Sequence, residues 1–497
     1  MLFSRRTFVK WAAAISTMDV ARAWGAGASR GFRPELLPSQ QEVWEQQVWM
    51  AGLGPKYTGN TAHTQFVDFL ANGMESLGLD VQRDGYSFPR WEAGPPLQLR
   101  IELGQGVARQ AFLSGRGTVG PMFPCSSYFP YSGETDREGV MAELVYVGTH
   151  PDVDLSGVRD KIALVDFRTP TREWNRLYRP WGIHPTGEKF PDVVRPARAA
   201  ITDLTPFQKS GAVAVIIAWT DVSPANAKDQ YSPFSRPPQG IPAVYVDRAT
   251  GHALRERAAR HETFTVTLTA TVTPDTPTDT VIATLPGASS EEVIILNTHT
   301  DGPNATEENG ALGLLALAKY FSKLPKSERR RTLVFPMTTG HFAGPWVPSI
   351  RGFIEKHPEV IKKTVAAVTV EHLGCREWMD TPGAEPEYRA TGKNEWSVAI
   401  TPNSVMAMAL VDALEGSIDR AAVVNPVGGG FLGEGSSLSR AGVPTIGYIP
   451  QPNYLLAASP DACIGKLSPE LMHSQIEVFA KLIHRIDAMN VTELRAG

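Results

Sequence analysis

Three apolar runs in the C-terminal half of the chain each end on side chains that could hold a metal ion or move a proton. Val293-Ile294-Ile295-Leu296 leads into Asn297-Thr298-His299-Thr300-Asp301, Leu333-Val334-Phe335 leads to Thr338-Thr339-Gly340-His341, and Ala366-Ala367-Val368-Thr369-Val370 leads into Glu371-His372. Imidazole nitrogens together with carboxylate oxygens suit zinc or a similar divalent cation. A histidine taken alone is commonly just a satisfied polar residue. His299 stands apart because Asp301, two residues on, is spaced to orient its ring from behind as a second-shell partner. His341 and the Glu371-His372 pair gain weight only from sharing the strand-end position. Glu307-Glu308-Asn309-Gly310 opens a helical pattern, where carboxylates also have the simpler role of complementing the helix dipole. His63, His150, His184, His252, His261, His357, His473 and His484 have no such placement and read as surface or structural.

The elements that must position these groups follow from periodicity. From Thr280 onward, apolar strands alternate with longer helical patterns, which predicts an α/β domain with a mainly parallel sheet flanked by helices. A fourth strand, Val443 to Ile449, runs into Pro450-Gln451-Pro452-Asn453-Tyr454. Ligands of such sheets bind beyond the carboxyl ends of the strands, where the His and Glu residues fall. Phe66, Phe69, Leu70, Met74 and Leu77 recur at helical spacing near the N-terminus. Residues 115–274 change texture to short strands split by Gly and Pro, and Pro274 to Pro277 reads as the linker back.

Composition narrows the function classes. The chain has 497 residues, with 48 Lys+Arg against 52 Asp+Glu and a net charge of -4. No basic excess points to a nucleic-acid partner. Cys125, Cys375 and Cys463 include no C-x-x-C pair and cannot form a disulfide framework. At the start, Ser4-Arg5-Arg6-Thr7-Phe8-Val9-Lys10 reads as a twin-arginine export motif. A weakly apolar stretch and small-residue cleavage sites after Ala23 or Ala28 follow it. No other run reaches the roughly 18 apolar residues of a membrane helix. The expected product is periplasmic or secreted, with no stable membrane anchor after signal removal.

These residues together resemble the co-catalytic zinc aminopeptidase and glutamate-carboxypeptidase-like superfamily. Ile282-Ala283-Thr284-Leu285-Pro286-Gly287 and the His-x-Asp at His299 and Asp301 carry the likeness. Glu143 to Gly148, Gly157 to Val165, Lys209 to Ile217 and Ile241 to Val246 resemble the protease-associated domain that some members carry as an insert. The implied organisation is a signal peptide over 1–28, an N-terminal part of the catalytic domain over 29–114, a β-rich protease-associated-type insert over 115–275, and the catalytic α/β domain over 276–497.

The resemblance also implies a ligand set. The family's metal-binding His matches His299, its bridging Asp falls on Glu308, and the ligand after the third strand falls on Glu371. The family's Gly-Glu-Glu-x-Gly falls on Gly340-His341-Phe342-Ala343-Gly344, so His341 stands where the general base belongs and Phe342 where a second-ion ligand belongs. The last family His, near Tyr454-Leu455, has no counterpart. The ligands of one ion keep their chemistry and those of the other are gone, which implies zinc or another divalent ion, one per chain. The resulting reading is a metal-dependent hydrolase of an amide or peptide-like bond, acting on a small-molecule or peptide-like substrate. In that reading the metal activates water and His341, at an ordinary imidazole pKa of roughly 6.5, takes the proton. If His341 binds the ion instead, Glu434 or Glu307 becomes the next base. Glu434 could also contact substrate, its simpler role being a solvent-facing loop residue. The aromatic and Arg cluster from Arg172 to Trp181 could overhang the site or pack between domains. The alternatives in other classes are a non-catalytic binding protein on a retired peptidase scaffold and a lyase or hydrolase of another bond.

Overall fold

The computed structural model describes residues 31–94, 100–103, 122–181, 193–194, 200–234, 236–427 and 430–497. The export motif, both cleavage sites and His184 lie outside these residues. Nine strands form the sheet that carries the candidate site: β1 (Asp80–Ala93), β2 (Tyr178–Pro180), β3 (Ala270–Leu285), β4 (Val293–His299), β5 (Thr332–Thr338), β6 (Thr364–Val370), β7 (Ser397–Ile400), β8 (Ala421–Pro426) and β9 (Thr445–Pro450). Their spatial order is β1-β3-β5-β4-β6-β9-β7-β8-β2. The four central strands β5, β4, β6 and β9 run parallel, as the apolar runs predict.

These strands are apolar on both faces because both are covered. Ile294 and Leu296 pack on one side with Leu312, Leu315 and Phe321. Val293 and Ile295 pack on the other with Ile350, Phe353 and Leu438. The first face is covered by helices α1 (Gln40–Gly52), α2 (Thr61–Ser76), α3 (Gly310–Ser322) and α6 (Pro469–Ala488), the second by α4 (Ile350–Lys356) and α5 (Gly435–Arg440). Each fully buried Leu, Ile or Phe contributes roughly 1.5–3 kcal/mol of transfer free energy, so these two faces anchor the strand ends that carry the chemistry. From β4 the chain passes to β5 on one side and then to β6 on the other, so β4 sits where strand order reverses. Ligand crevices form at such a point.

A second sheet lies within the middle stretch. It runs Met122–Phe123, Arg100–Leu103, Thr263–Thr267, Val140–His150, Ile162–Phe167, Ala214–Trp219, Ala243–Val246 and Ser127–Tyr128, with Asp152–Val153 beside Val140–His150. It takes in Arg100–Leu103, ahead of the 115 boundary read from the sequence. The Pro274 to Pro277 stretch is not a free linker: it lies inside β3, which pairs antiparallel with β1 from Asp80↔Thr284 to Ala93↔Ala270. The chain therefore enters and leaves the middle stretch along one two-stranded ribbon. A second attachment is β2, which pairs with β8 in the larger sheet, and Trp181 Nε1 donates to the Thr401 carbonyl at 2.8 Å. Tyr178 packs against Trp396, Val398 and Ile400, so this part of the aromatic cluster joins the two halves. No helix among the described residues is long and apolar enough to cross a membrane.

Candidate metal centre

His299 is the last residue of β4 and is fully buried. Its Nδ1 lies 2.9 Å from the carbonyl oxygen of Asp301, which can only accept, so Nδ1 carries the proton. That leaves Nε2 with its lone pair, buried and without a hydrogen-bond partner. Burial, and then the nearby charge of His341, lower its pKa to about 4, so the ring is neutral. Asp301 thus orients His299 as the two-residue spacing suggested, but through its backbone oxygen. Its carboxylate is 4.0 Å from His299 Nδ1. It accepts instead from the amides of His341 at 3.2 Å and Phe342 at 2.8 Å and from the Thr58 hydroxyl, pinning the loop after β5 to the end of β4.

Glu371 and His372 follow β6 directly and are both buried. Glu371 Oε1 accepts from the Glu434 amide at 2.8 Å. Gly433 passes so close that a Cβ there would lie 2.6 Å from Glu371 Oε1, and its φ is +72°. His372 gives its Nδ1 proton to the Pro450 carbonyl at 2.6 Å, leaving Nε2 3.3 Å from Glu307 Oε2 and 3.8 Å from Glu371 Oε2. Asn309 holds this turn against the start of α3: its Nδ2 donates to the Leu373 carbonyl at 2.8 Å and its Oδ1 accepts from the Leu373 amide at 2.7 Å. Asn304 anchors the loop before α3 by donating to the carbonyls of Tyr454, Leu455 and Ala457.

Two groups of ligand-type atoms result, each with its atoms within 4.8 Å of one another: His299, Glu371 and His372, and His299, Glu307 and His341. Among the described residues, none from the middle stretch joins them. Of the sequence-derived ligands, His299 and Glu371 come together here. Glu308 does not enter either group. It turns to the fully buried Lys56, with Nζ 2.6 Å from Oε1. Burial raises the Glu308 pKa to about 7, against the pull of Lys56. Glu307 and His372 occupy the cluster instead. The sequence singles out His372 with Glu371 at the strand end, and Glu307 as a carboxylate at the helix start and a reserve base, but assigns neither as a ligand.

His341 is stacked on His299, with ring centroids 4.1 Å apart, and on Phe234 from the middle stretch at 5.0 Å. Its Nδ1 is 2.7 Å from Glu434 Oε1. The ordinary imidazole titration expected from sequence does not hold: burial alone lowers the His341 pKa, but the Glu434 hydrogen bond and charge outweigh it and lift it to about 9. Reciprocally, burial raises the Glu434 carboxyl, and the His341 hydrogen bond and charge overcome that and hold it at about 2. Glu434 is not a solvent-facing loop residue. It is buried, and its second oxygen accepts from Ser349 Oγ at 2.8 Å and the Ile350 amide at 3.1 Å. Phe342 is buried against Tyr231 and Leu456.

The donor set fits a divalent cation. A neutral imidazole with a bare, buried nitrogen faces carboxylates and further imidazoles, the ligand types that zinc takes. Both groups share His299, which has one free nitrogen, so they describe one centre.

No family model and no curated protein matches the chain. Solved structures do. A peptidase M28 precursor from Shewanella amazonensis SB2B aligns with TM-score 0.64 at 16% identity, over 95% of this chain and 96% of that one. A zinc aminopeptidase from Bacillus subtilis aligns at 0.60 and 15%, over 92% and 98%. An aminopeptidase from Aneurinibacillus sp. strain AM-1 aligns at 0.57 and 18%, over 93% and 95%. Over nearly its full length, this chain therefore has the mixed α/β fold of the M28-type zinc aminopeptidases to which it is similar.

Proposed function

We propose that this chain is an exported metal-dependent hydrolase of an amide or peptide-like bond, with its middle stretch a protease-associated-type insert. The observation that carries the reading is the buried Nε2 of His299, without a partner at the point shared by two His/Glu groups. A buried polar atom left bare costs roughly 1–3 kcal/mol, and a cation there removes that cost. His299, Glu371 and His372 would hold the ion, with Glu307 beside it and His341, stacked on His299, left to carry a proton. Glu308 is left out of this set because Lys56 already balances its charge. Zinc or another divalent ion bound here, one per chain, supplies polarisation of a carbonyl and activation of water.

The chain's own residues prepare a proton transfer. Glu434 fixes His341 by the 2.7 Å bond to Nδ1, and Asp301 fixes the backbone beneath it. The ion pair favours the proton-bearing imidazole, which suits giving a proton to a leaving amine. His341 is thus proposed as a general acid rather than the base expected from the family position. The fold likeness to aminopeptidases supports amide chemistry, and a peptide-like small molecule is the proposed substrate.

Metal analysis of the purified protein should find close to one ion per chain. His299→Ala should lower it sharply, and a fully loaded His299→Ala protein would overturn the centre. A non-catalytic binding protein on this scaffold is favoured by one observation: Phe342 is packed into an apolar wall at a position where the family resemblance places a ligand. A metal-loaded protein inert toward a panel of amides and N-acyl amino acids would select that reading.

A further inference from the structure

Beside the metal centre lies a cavity of about 240 Å³. His341, the apolar Phe234 and Val347, and Arg351 and Arg440 stand among its lining residues. Among the described residues, none that lines it is acidic. The two arginines come from separate elements on one face of the sheet, Arg351 from α4 and Arg440 from the end of α5. Neither is locked in a tight ion pair. Arg351 Nε is 3.6 Å from Glu355, with both side chains well exposed, and Arg440 Nη2 donates to Ser437 Oγ at 3.1 Å. Exposed pairs of this kind contribute little, so both guanidinium groups can turn to a better acceptor. A guanidinium offers a planar fork of donors that matches a carboxylate.

Resting on the hydrolase reading and deepening it, we propose that this cavity is an anion subsite: the substrate carries a carboxylate, on a short apolar stem, next to the amide held at His341. Phe234 and Val347 would pack the stem, and Arg351 and Arg440 would take the carboxylate.

The test is a binding measurement that needs no turnover. N-acetylglutamate and N-acetylglutamine have the same size and the same α-carboxylate and differ only in side-chain charge. Calorimetric titration of each into the zinc-loaded full chain should give at least tenfold tighter binding of N-acetylglutamate. The preference should shrink as salt is raised. It should vanish in the double variant Arg351→Gln/Arg440→Gln, which thermal unfolding should show to be folded, since both positions are exposed. Equal binding, absence of binding by both, or a preference that survives the double variant would overturn the subsite. The two readings separate: charge preference without cleavage of any amide keeps the subsite and removes the hydrolase, while amide cleavage without charge preference does the reverse.

Discussion

Glu307 and Glu308 are adjacent carboxylates with different tasks, and a lysine far away in sequence makes the difference. Lys56 Nζ sits 2.6 Å from Glu308 in a site closed to solvent, also donating to the carbonyl of Gly54 at 2.8 Å. Removing one partner of a buried pair leaves an uncompensated charge, typically costing about 3–5 kcal/mol. Lys56→Met should therefore lower the unfolding free energy from urea titration by that order, and Lys56→Met/Glu308→Met should recover most of it. A single variant as stable as the parent would show that the pair is dispensable. The family resemblance places the ligand on Glu308, whereas the structure groups Glu307 with the histidines, because the choice depends on a tertiary partner, Lys56. The His341–Glu434 pair was hidden for the same reason. Replacing Glu434 by Gln should drop the His341 titration in the metal-free protein from about 9 toward the ordinary 6.5, since burial is then opposed only by the charges of Glu307 and Asp301. Imidazole NMR reads this directly, and a value staying near 9 would remove Glu434 as the cause.

At the scale of elements, the central strands were legible because they are uniformly apolar, and their carboxyl ends meet where the chemistry was expected. The Pro274 to Pro277 stretch was misread because proline is excluded from central strands. It is tolerated here for a local reason: register shifts between Phe88 and Arg90 opposite Thr276 and Thr273, which puts Pro274 in a bulge. On the other side of β3, β5 pairs only with Val281 to Leu285, so Pro277 lies beyond that pairing. The loop carrying Glu434 makes its own prediction. Gly433→Ala would place a Cβ 2.6 Å from Glu371 Oε1 at a φ of +72°. Glu371 must then move. Metal content should fall severalfold, while the melting temperature of the metal-free protein falls by only a few degrees. Full metal occupancy in this variant would count against Glu371 as a ligand.

For the whole molecule, buried imidazoles set the response to acid. His63, His299 and His484 are all lowered to about 4, chiefly by burial. Between pH 4 and 6.5 the unfolded chain binds protons that these residues refuse in the folded state, so stability falls as pH falls through that window. His341 has the opposite sign: with a folded pKa of about 9, its contribution is fully present below 6.5 and is lost as pH rises toward 9. The Glu434 contribution, from a folded pKa of about 2, is present above the ordinary carboxyl range and lost only in stronger acid. The metal-free protein should thus have its highest melting temperature near pH 6.5, falling toward pH 4.5 and, less steeply, toward pH 9. A melting temperature flat between pH 6.5 and 4.5 would contradict the assignment.

The ribbon of β1 and β3 has a mechanical meaning. A domain hung on one flexible strand can swing, but two paired strands bend only by breaking or shearing the hydrogen bonds between them. The β2–β8 pairing adds a second fastening on another edge, and the Gln230–Ala457 bridge, with the Tyr231 amide donating to the Leu456 carbonyl at 2.8 Å, adds a third; three separated fastenings leave no common axis for rotation. Phe234 therefore meets His341 as part of a fixed frame, not as a gate. Access to the candidate metal centre then needs no swing of the middle stretch, and in the proposed hydrolase reading turnover should be insensitive to solvent viscosity beyond the cost of diffusion.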